Sequence, residues 1–192
     1  MANYSWSNPN AIGSREYTCG FCGSLLVSNQ GWSGSSIPMK TECFIYICHL
    51  CGGPTLIDPA RKLQIPGVAF GHAVHDIPDE SVRQLYEEAR NATGAGSHTA
   101  AVLCCRKLLM HVAVSKGAEE EKSFLYYLKY LADNHYFPPD AKEWVDHIRG
   151  KSNEADYEIV IAPPEEAEEL LSFIEMLLKM VYEFPATIKM KR

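Results

Sequence analysis

Two Cys-x-x-Cys pairs, Cys19/Cys22 and Cys48/Cys51, limit what this chain can fold into more than any other feature. They lie in Tyr-Thr-Cys-Gly-Phe-Cys-Gly-Ser and Ile-Cys-His-Leu-Cys-Gly-Gly-Pro, and glycine follows each pair directly. Zn²⁺ takes four soft or borderline ligands in a tetrahedron, and a Cys-x-x-Cys turn presents two thiolates to one ion. Gly20, Gly23 and Gly52 suit turns whose amides fold in tightly around the sulfurs. The interval from Cys22 to Cys48 is longer than usual for paired sites of this kind, but strand- and turn-like sequence fills it. The expectation is one structural Zn²⁺ held by Cys19, Cys22, Cys48 and Cys51. The alternative is two unrelated pairs, reduced or disulfide-bonded. Four thiolates leave no coordination position for water, which makes such a zinc structural.

Around these cysteines the pattern is that of strands. Residues 24–27 follow the first knuckle, and Glu42–Ile47 alternates into the second. Residues 29–36 are rich in Gly, Ser and Asn and predict a loop, while residues 1–15 predict a poorly ordered polar lead-in. Residues 1–58 therefore read as a small β zinc ribbon. Residues 59–76 read as a linker broken by Pro59, Pro66, Gly67 and Gly71. His72 and His75 lie there without a partner cysteine, and His49 falls between two ligands; none is expected to bind metal. Cys43 on its strand reads as a small buried hydrophobe.

Past Pro78 the apolar period becomes helical. Val82, Leu85, Tyr86 and Ala89 share a face, and Ser97 can cap a second helix through Ala101, Cys104, Leu108 and Val112 that stops at Gly117. A third helix carries Phe124, Leu128 and Leu131. A fourth, over 141–149, carries Trp144, Val145 and Ile148. A fifth opens at Pro163-Pro164, runs along Leu170, Phe173, Ile174, Leu177 and Val181, and is closed by Pro185. Cys104 and Cys105, adjacent on a helix, point about 100° apart and read as core residues rather than a redox pair.

Composition narrows the function. The 192 residues carry a net charge of −6, which excludes a surface given over wholly to nucleic acid. The acid sits in Glu119-Glu120-Glu121 and among residues 165–169, as on solvated helix faces, and the tail Lys189-Met190-Lys191-Arg192 is basic. No run of 18 apolar residues marks a membrane span. The N-terminal residues show neither the basic region nor the apolar core of an export signal. With seven cysteines, this leads us to expect a cytoplasmic, reducing setting.

The helical region also resembles a known family. Ile77-Pro78 with Leu85-Tyr86-Glu87-Glu88-Ala89, then Ala100-Ala101-Val102 with Cys105-Arg106-Lys107-Leu108-Leu109, then Ile148-Arg149-Gly150-Lys151-Ser152-Asn153-Glu154-Ala155, then Glu166-Ala167-Glu168-Glu169 follow one pattern in order. It resembles a bacterial and phage domain family of unknown function within the HEPN (higher eukaryote and prokaryote nucleotide-binding) superfamily, whose members also occur behind zinc ribbons and fused to restriction-enzyme subunits. The resemblance covers roughly residues 77–185. It implies a helical bundle that commonly dimerises. It also implies, in many members, a metal-independent ribonuclease in which arginine steadies phosphate and histidine moves protons, roles suited to a planar charged fork and a near-neutral pKa.

In this chain, the place of that histidine is held by Tyr157. A phenol with a pKa near 10 is a poor base at pH 7, so the resemblance here implies a catalytically silent version. Arg149, Asn153 and Tyr157 remain the candidate residues, although Arg149 and Asn153 also suit a turn held by local hydrogen bonds. Arg106 and His111 form a second Arg-to-His pair, but residues five apart lie about 140° around a helix.

The reading is an α+β chain, with a small β zinc ribbon over 1–58, a linker over 59–76, and an all-α HEPN-like bundle with a short basic tail over 77–192. The expected function is binding or regulation rather than catalysis, in a homodimer formed through the bundle. Phage–host conflict is the expected setting, with a protein or RNA as partner and no membrane. The alternative is a metal-independent endoribonuclease.

Overall fold

The computed structural model describes residues 6–35, 41–138, 144–145, 148 and 160–190. They form two compact units, residues 1–69 and 70–192.

The first unit is an antiparallel sheet in which five strands neighbour one another in chain order. They are β1 (Asn10–Thr18), β2 (Leu25–Ser35), β3 (Glu42–Ile47), β4 (Pro54–Asp58) and β5 (Leu63–Ile65). β2 is the long one. Its first part pairs with β1, Thr18 opposite Leu25, and its second part pairs with β3, Gly31 opposite Tyr46. The loop expected over 29–36 is therefore strand as far as Ser35. At Gly31 an added Cβ would lie 1.8 Å from the Ile45 carbonyl oxygen, so glycine is what lets β2 run this close to β3.

The lead-in is also more ordered than its polarity suggests. β1 begins at Asn10, mostly exposed as an edge strand can be. Trp6 packs edge-on against Trp32, with centroids 5.8 Å apart, and its Nε1 donates to the Gly52 carbonyl at 2.7 Å. The sheet curls until Gln64 Nε2 of β5 donates to the Thr18 carbonyl of β1 at 2.8 Å. Tyr17, Cys19, Leu26, Tyr46, Cys48 and Ile57 fill its small core.

The stretch read as linker is divided between the units. Residues 63–65 are β5. From Phe70 onward the chain lies along the helices without regular structure. Its backbone is satisfied from outside: Arg90 donates to the Phe70 and Gly71 carbonyls, and Tyr86 Oη donates to that of His72. Val74 and Ile77 are buried in the helical core.

The second unit contains α1 (Glu80–Gly94), α2 (His98–Ser115), α3 (Phe124–Asp133), α4 (Pro164–Leu178) and α5 (Phe184–Met190), with a π-helical turn at Lys179–Glu183 between the last two. Asp79 caps α1, accepting from the amides of Ser81 and Val82. Ser123 caps α3 through Tyr126. Ser97 stands at the N-cap of α2, but its side chain makes no capping bond. Pro164 opens α4. Pro185 does not close the last helix as expected. The wide turn before it absorbs the backbone bond that proline cannot make, and the Phe184 amide donates to the Lys179 carbonyl instead.

The expected fourth helix lies largely outside the described residues. Within them, residues 144, 145 and 148 are helical, and Trp144 meets Phe173 edge-on at 5.2 Å. Among the described residues no helix is long and apolar enough to cross a membrane.

Candidate metal centre

The two knuckles have the same shape because the same backbone bonds close them. The Cys19 amide donates to the Ser24 carbonyl at 2.9 Å and the Gly23 amide to the Cys19 carbonyl at 2.8 Å. At the second knuckle the Cys48 amide donates to Gly53 at 3.0 Å and Gly52 to Cys48 at 2.8 Å. Gly23 (φ 70°) and Gly52 (φ 72°) occupy the left-handed region at equivalent positions, where a Cβ is strained. Two amides point at sulfur rather than oxygen: Phe21 N to Cys19 Sγ and Gly53 N to Cys51 Sγ, each 3.4 Å. Gly20 has a different role from that expected, since the Pro66 carbonyl oxygen lies 2.3 Å from where its Cβ would stand.

These turns bring Cys19, Cys22, Cys48 and Cys51 together, with all four Sγ atoms within 4.8 Å of one another. Cys19 and Cys48 are fully buried, and the other two are half-buried. The closest approaches run between knuckles, Cys19 to Cys51 at 3.7 Å and Cys22 to Cys48 at 3.8 Å. A tetrahedron with metal–sulfur bonds of about 2.3 Å has edges of about 3.8 Å, so the pocket has the size of a four-thiolate metal site. A disulfide would need about 2.05 Å, and all seven cysteines are free.

Electrostatics point the same way. Burial pushes the Cys19 thiol above its ordinary value and that of Cys51 up to about 12. Burial also raises Cys22, but the hydrogen bonds of Ser24 outweigh it and bring that thiol down to about 7. Four negative sulfurs this close need a cation among them. The residues present therefore fit a metal ion. Cys43 is not part of the group.

The other sequence candidates do not converge. Arg106 lies over the Phe124 ring at 5.0 Å. His111, on the same helix, meets Asp79 at the start of α1, with Nε2 3.4 Å from Oδ2. They face different neighbours, as the helical angle requires. His72 pairs with Glu175 rather than with a metal. Arg149, Asn153 and Tyr157 lie outside the described residues. Sequence reasoning passed over Tyr17 and Thr55, two hydroxyl residues of the ribbon core. The signal was there for Tyr17, because it stands two residues before Cys19 on a strand and so shares its face.

Fold and site define a class, an α+β chain that begins with a zinc-ribbon-like sheet bearing a four-cysteine cluster and ends in helices. Residues 87–191 match the family described as Domain of unknown function (DUF4145), and the chain belongs to that family. No curated protein and no solved structure matches it.

Proposed function

We propose that this is a zinc-ribbon protein of binding or regulatory function, with one structural Zn²⁺ held by Cys19, Cys22, Cys48 and Cys51. The observation that carries the proposal is the pair of inter-knuckle sulfur distances, 3.7 and 3.8 Å, at the edge length of a zinc–thiolate tetrahedron. When bound, the ion cross-links the two knuckles and has no site left for a reactant. The HEPN resemblance belongs to the same proposal, with residues 77–192 as a dimerising HEPN-like bundle. Phage–host conflict is the setting that the resemblance implies.

Two further features support binding over catalysis. Phe21 and Leu50 occupy the same place in the two knuckles and are 49% and 61% exposed, an apolar pair that a partner could cover. Charge favours a protein partner over a nucleic acid. Residues 1–69 hold four Lys and Arg against three Asp and Glu, and residues 70–192 hold 14 against 21.

The test is zinc content and mass in solution, followed by incubation with structured and single-stranded RNAs beside Arg149→Ala and His111→Ala. We expect one zinc per chain, a dimer and intact RNA. Cutting that disappears in either variant would make the protein a ribonuclease. A monomer that retains neither RNA nor protein partners would end the binding reading.

A further inference from the structure

Two buried hydroxyls of the ribbon, Tyr17 Oη and Thr55 Oγ1, have no hydrogen-bond partner in the described structure. Tyr17 is 6% exposed and Thr55 is fully buried. An unpaired buried hydroxyl forfeits its hydration without return, and native cores hold few. Tyr46 shows how the same core treats a hydroxyl that can be paired, since its Oη donates to the Gly13 carbonyl at 2.9 Å. Tyr17 stacks obliquely on that ring, with centroids 5.7 Å apart, and Thr55 is the cross-strand neighbour of Tyr46.

The two phenols point to opposite ends of the sheet. Burial most of all, then the thiols of Cys48, Cys19 and Cys51, push the Tyr17 hydroxyl well above its ordinary value. Tyr46 is raised by burial and otherwise influenced by Arg15. Tyr17 thus aims its hydroxyl at the cysteine end, in the same small core as Cys19 and Cys48. Thr55 lies alongside without reaching hydrogen-bond geometry. A neutral thiol is a weak acceptor, whereas a thiolate is an anion and draws a hydroxyl donor strongly.

We propose that Tyr17 is a positioning residue of the metal centre: Tyr17 Oη–H donates to a cysteine thiolate once the four sulfurs are deprotonated around the ion, and Thr55 Oγ1–H donates to Tyr17 Oη. This single arrangement pairs both orphaned groups, and hydroxyl rotation lets each find its acceptor. It rests on the metal reading above. The donated bond lowers the charge on one sulfur and fixes its direction, as partners outside the ligand shell do in other metal sites.

The experiment loads the full chain with Co²⁺, whose sulfur-to-metal charge-transfer band reports the thiolates. It compares wild type, Tyr17→Phe and Thr55→Val, with release to a chelator as a second readout. Tyr17→Phe removes one oxygen and keeps the ring against Tyr46. We expect its band at lower energy and release about tenfold faster, with a smaller shift of the same sign in Thr55→Val. A band superimposable on wild type in Tyr17→Phe overturns the inference, because a purely structural hydroxyl would not move it. Should Tyr17→Phe take up no cobalt, an unmoved band in Thr55→Val overturns it instead. A wild-type chain without a four-thiolate spectrum sinks the metal reading, and this inference with it.

Discussion

Six buried residues make up the ribbon core, and two of them, Cys19 and Cys48, are cysteines. The helical unit buries 28, almost all aliphatic or aromatic, centred on α2 and α4. The second unit can be held by removal of apolar surface from water, at roughly 25 cal/mol per Å². The first cannot, because a core this small does not offset the entropy of ordering five strands. The difference predicts which unit depends on a metal and which on packing. Each test below perturbs one side and reads both.

Metal removal should have the largest effect. Chelation at neutral pH, or Cys48→Ser, withdraws a contribution on the order of 10 kcal/mol. In a Trp144→Phe background only Trp6 and Trp32 remain as reporters, both in the ribbon. Their emission should shift to that of solvated indole while far-ultraviolet helicity persists. Melting of the helices with unchanged tryptophan emission would reverse the comparison.

Next in size is Phe173→Ala. Phe173 is fully buried between Phe137, at 4.6 Å, and Trp144, at 5.2 Å. Removing a ring from such a site costs about 3–5 kcal/mol. Calorimetry should find a lower Tm for the helical transition, with zinc content per chain unchanged. Loss of zinc in this variant would show that the ribbon leans on the helical core.

The reach of the sequence follows the same division. Knuckle spacing and helical period are written in side-chain identity, so the cysteine cluster and the faces of α1, α3 and α4 were legible. Backbone-driven features were not. The second half of β2 consists of Gly, Ser and Trp, and it is strand because Gly31 permits a close approach that no propensity encodes. Residues 70–77 carry loop signals and no sign that Arg90 and Tyr86, far along the chain, satisfy their carbonyls. The continuation past Pro185 depends on a π turn that helical periodicity does not reveal. The sulfurs could be located from sequence, but the unpaired Tyr17 and Thr55 hydroxyls could not, since that is a fact about neighbours.

Glu175 tests the strap formed by those residues. Its side chain is 14% exposed. It accepts from the His72 amide at 2.9 Å and from Lys179 Nζ at 2.6 Å. Burial raises its pKa, but these donors outweigh burial and hold it below the ordinary value. A carboxylate depressed in the folded state stabilises above the unfolded pKa, about 4, and loses that contribution as pH falls through the lowered value. Glu175→Gln should cost about 1–3 kcal/mol at pH 7, and its deficit against wild type should shrink as pH drops below about 4. A deficit that stays constant across an acid titration of the helical signal would remove the charge from this account.

The smallest effect separates two serines that the sequence presents alike. Ser123 Oγ accepts from the Tyr126 amide at 3.3 Å at the start of α3, whereas Ser97 at the start of α2 makes no side-chain capping bond. The first helical amides have no partner within their own helix, so the serine that supplies one is worth about 1 kcal/mol, and the one that does not is worth little. Ser123→Ala should therefore lower the denaturant midpoint of the helical unit, while Ser97→Ala leaves it within error. The ribbon's tryptophan signal should stay fixed in both variants, because neither change touches the metal or its turns. Equal losses from the two serines would mean that α2 gains a cap in solution and that the contrast between its two ends is smaller than the geometry implies.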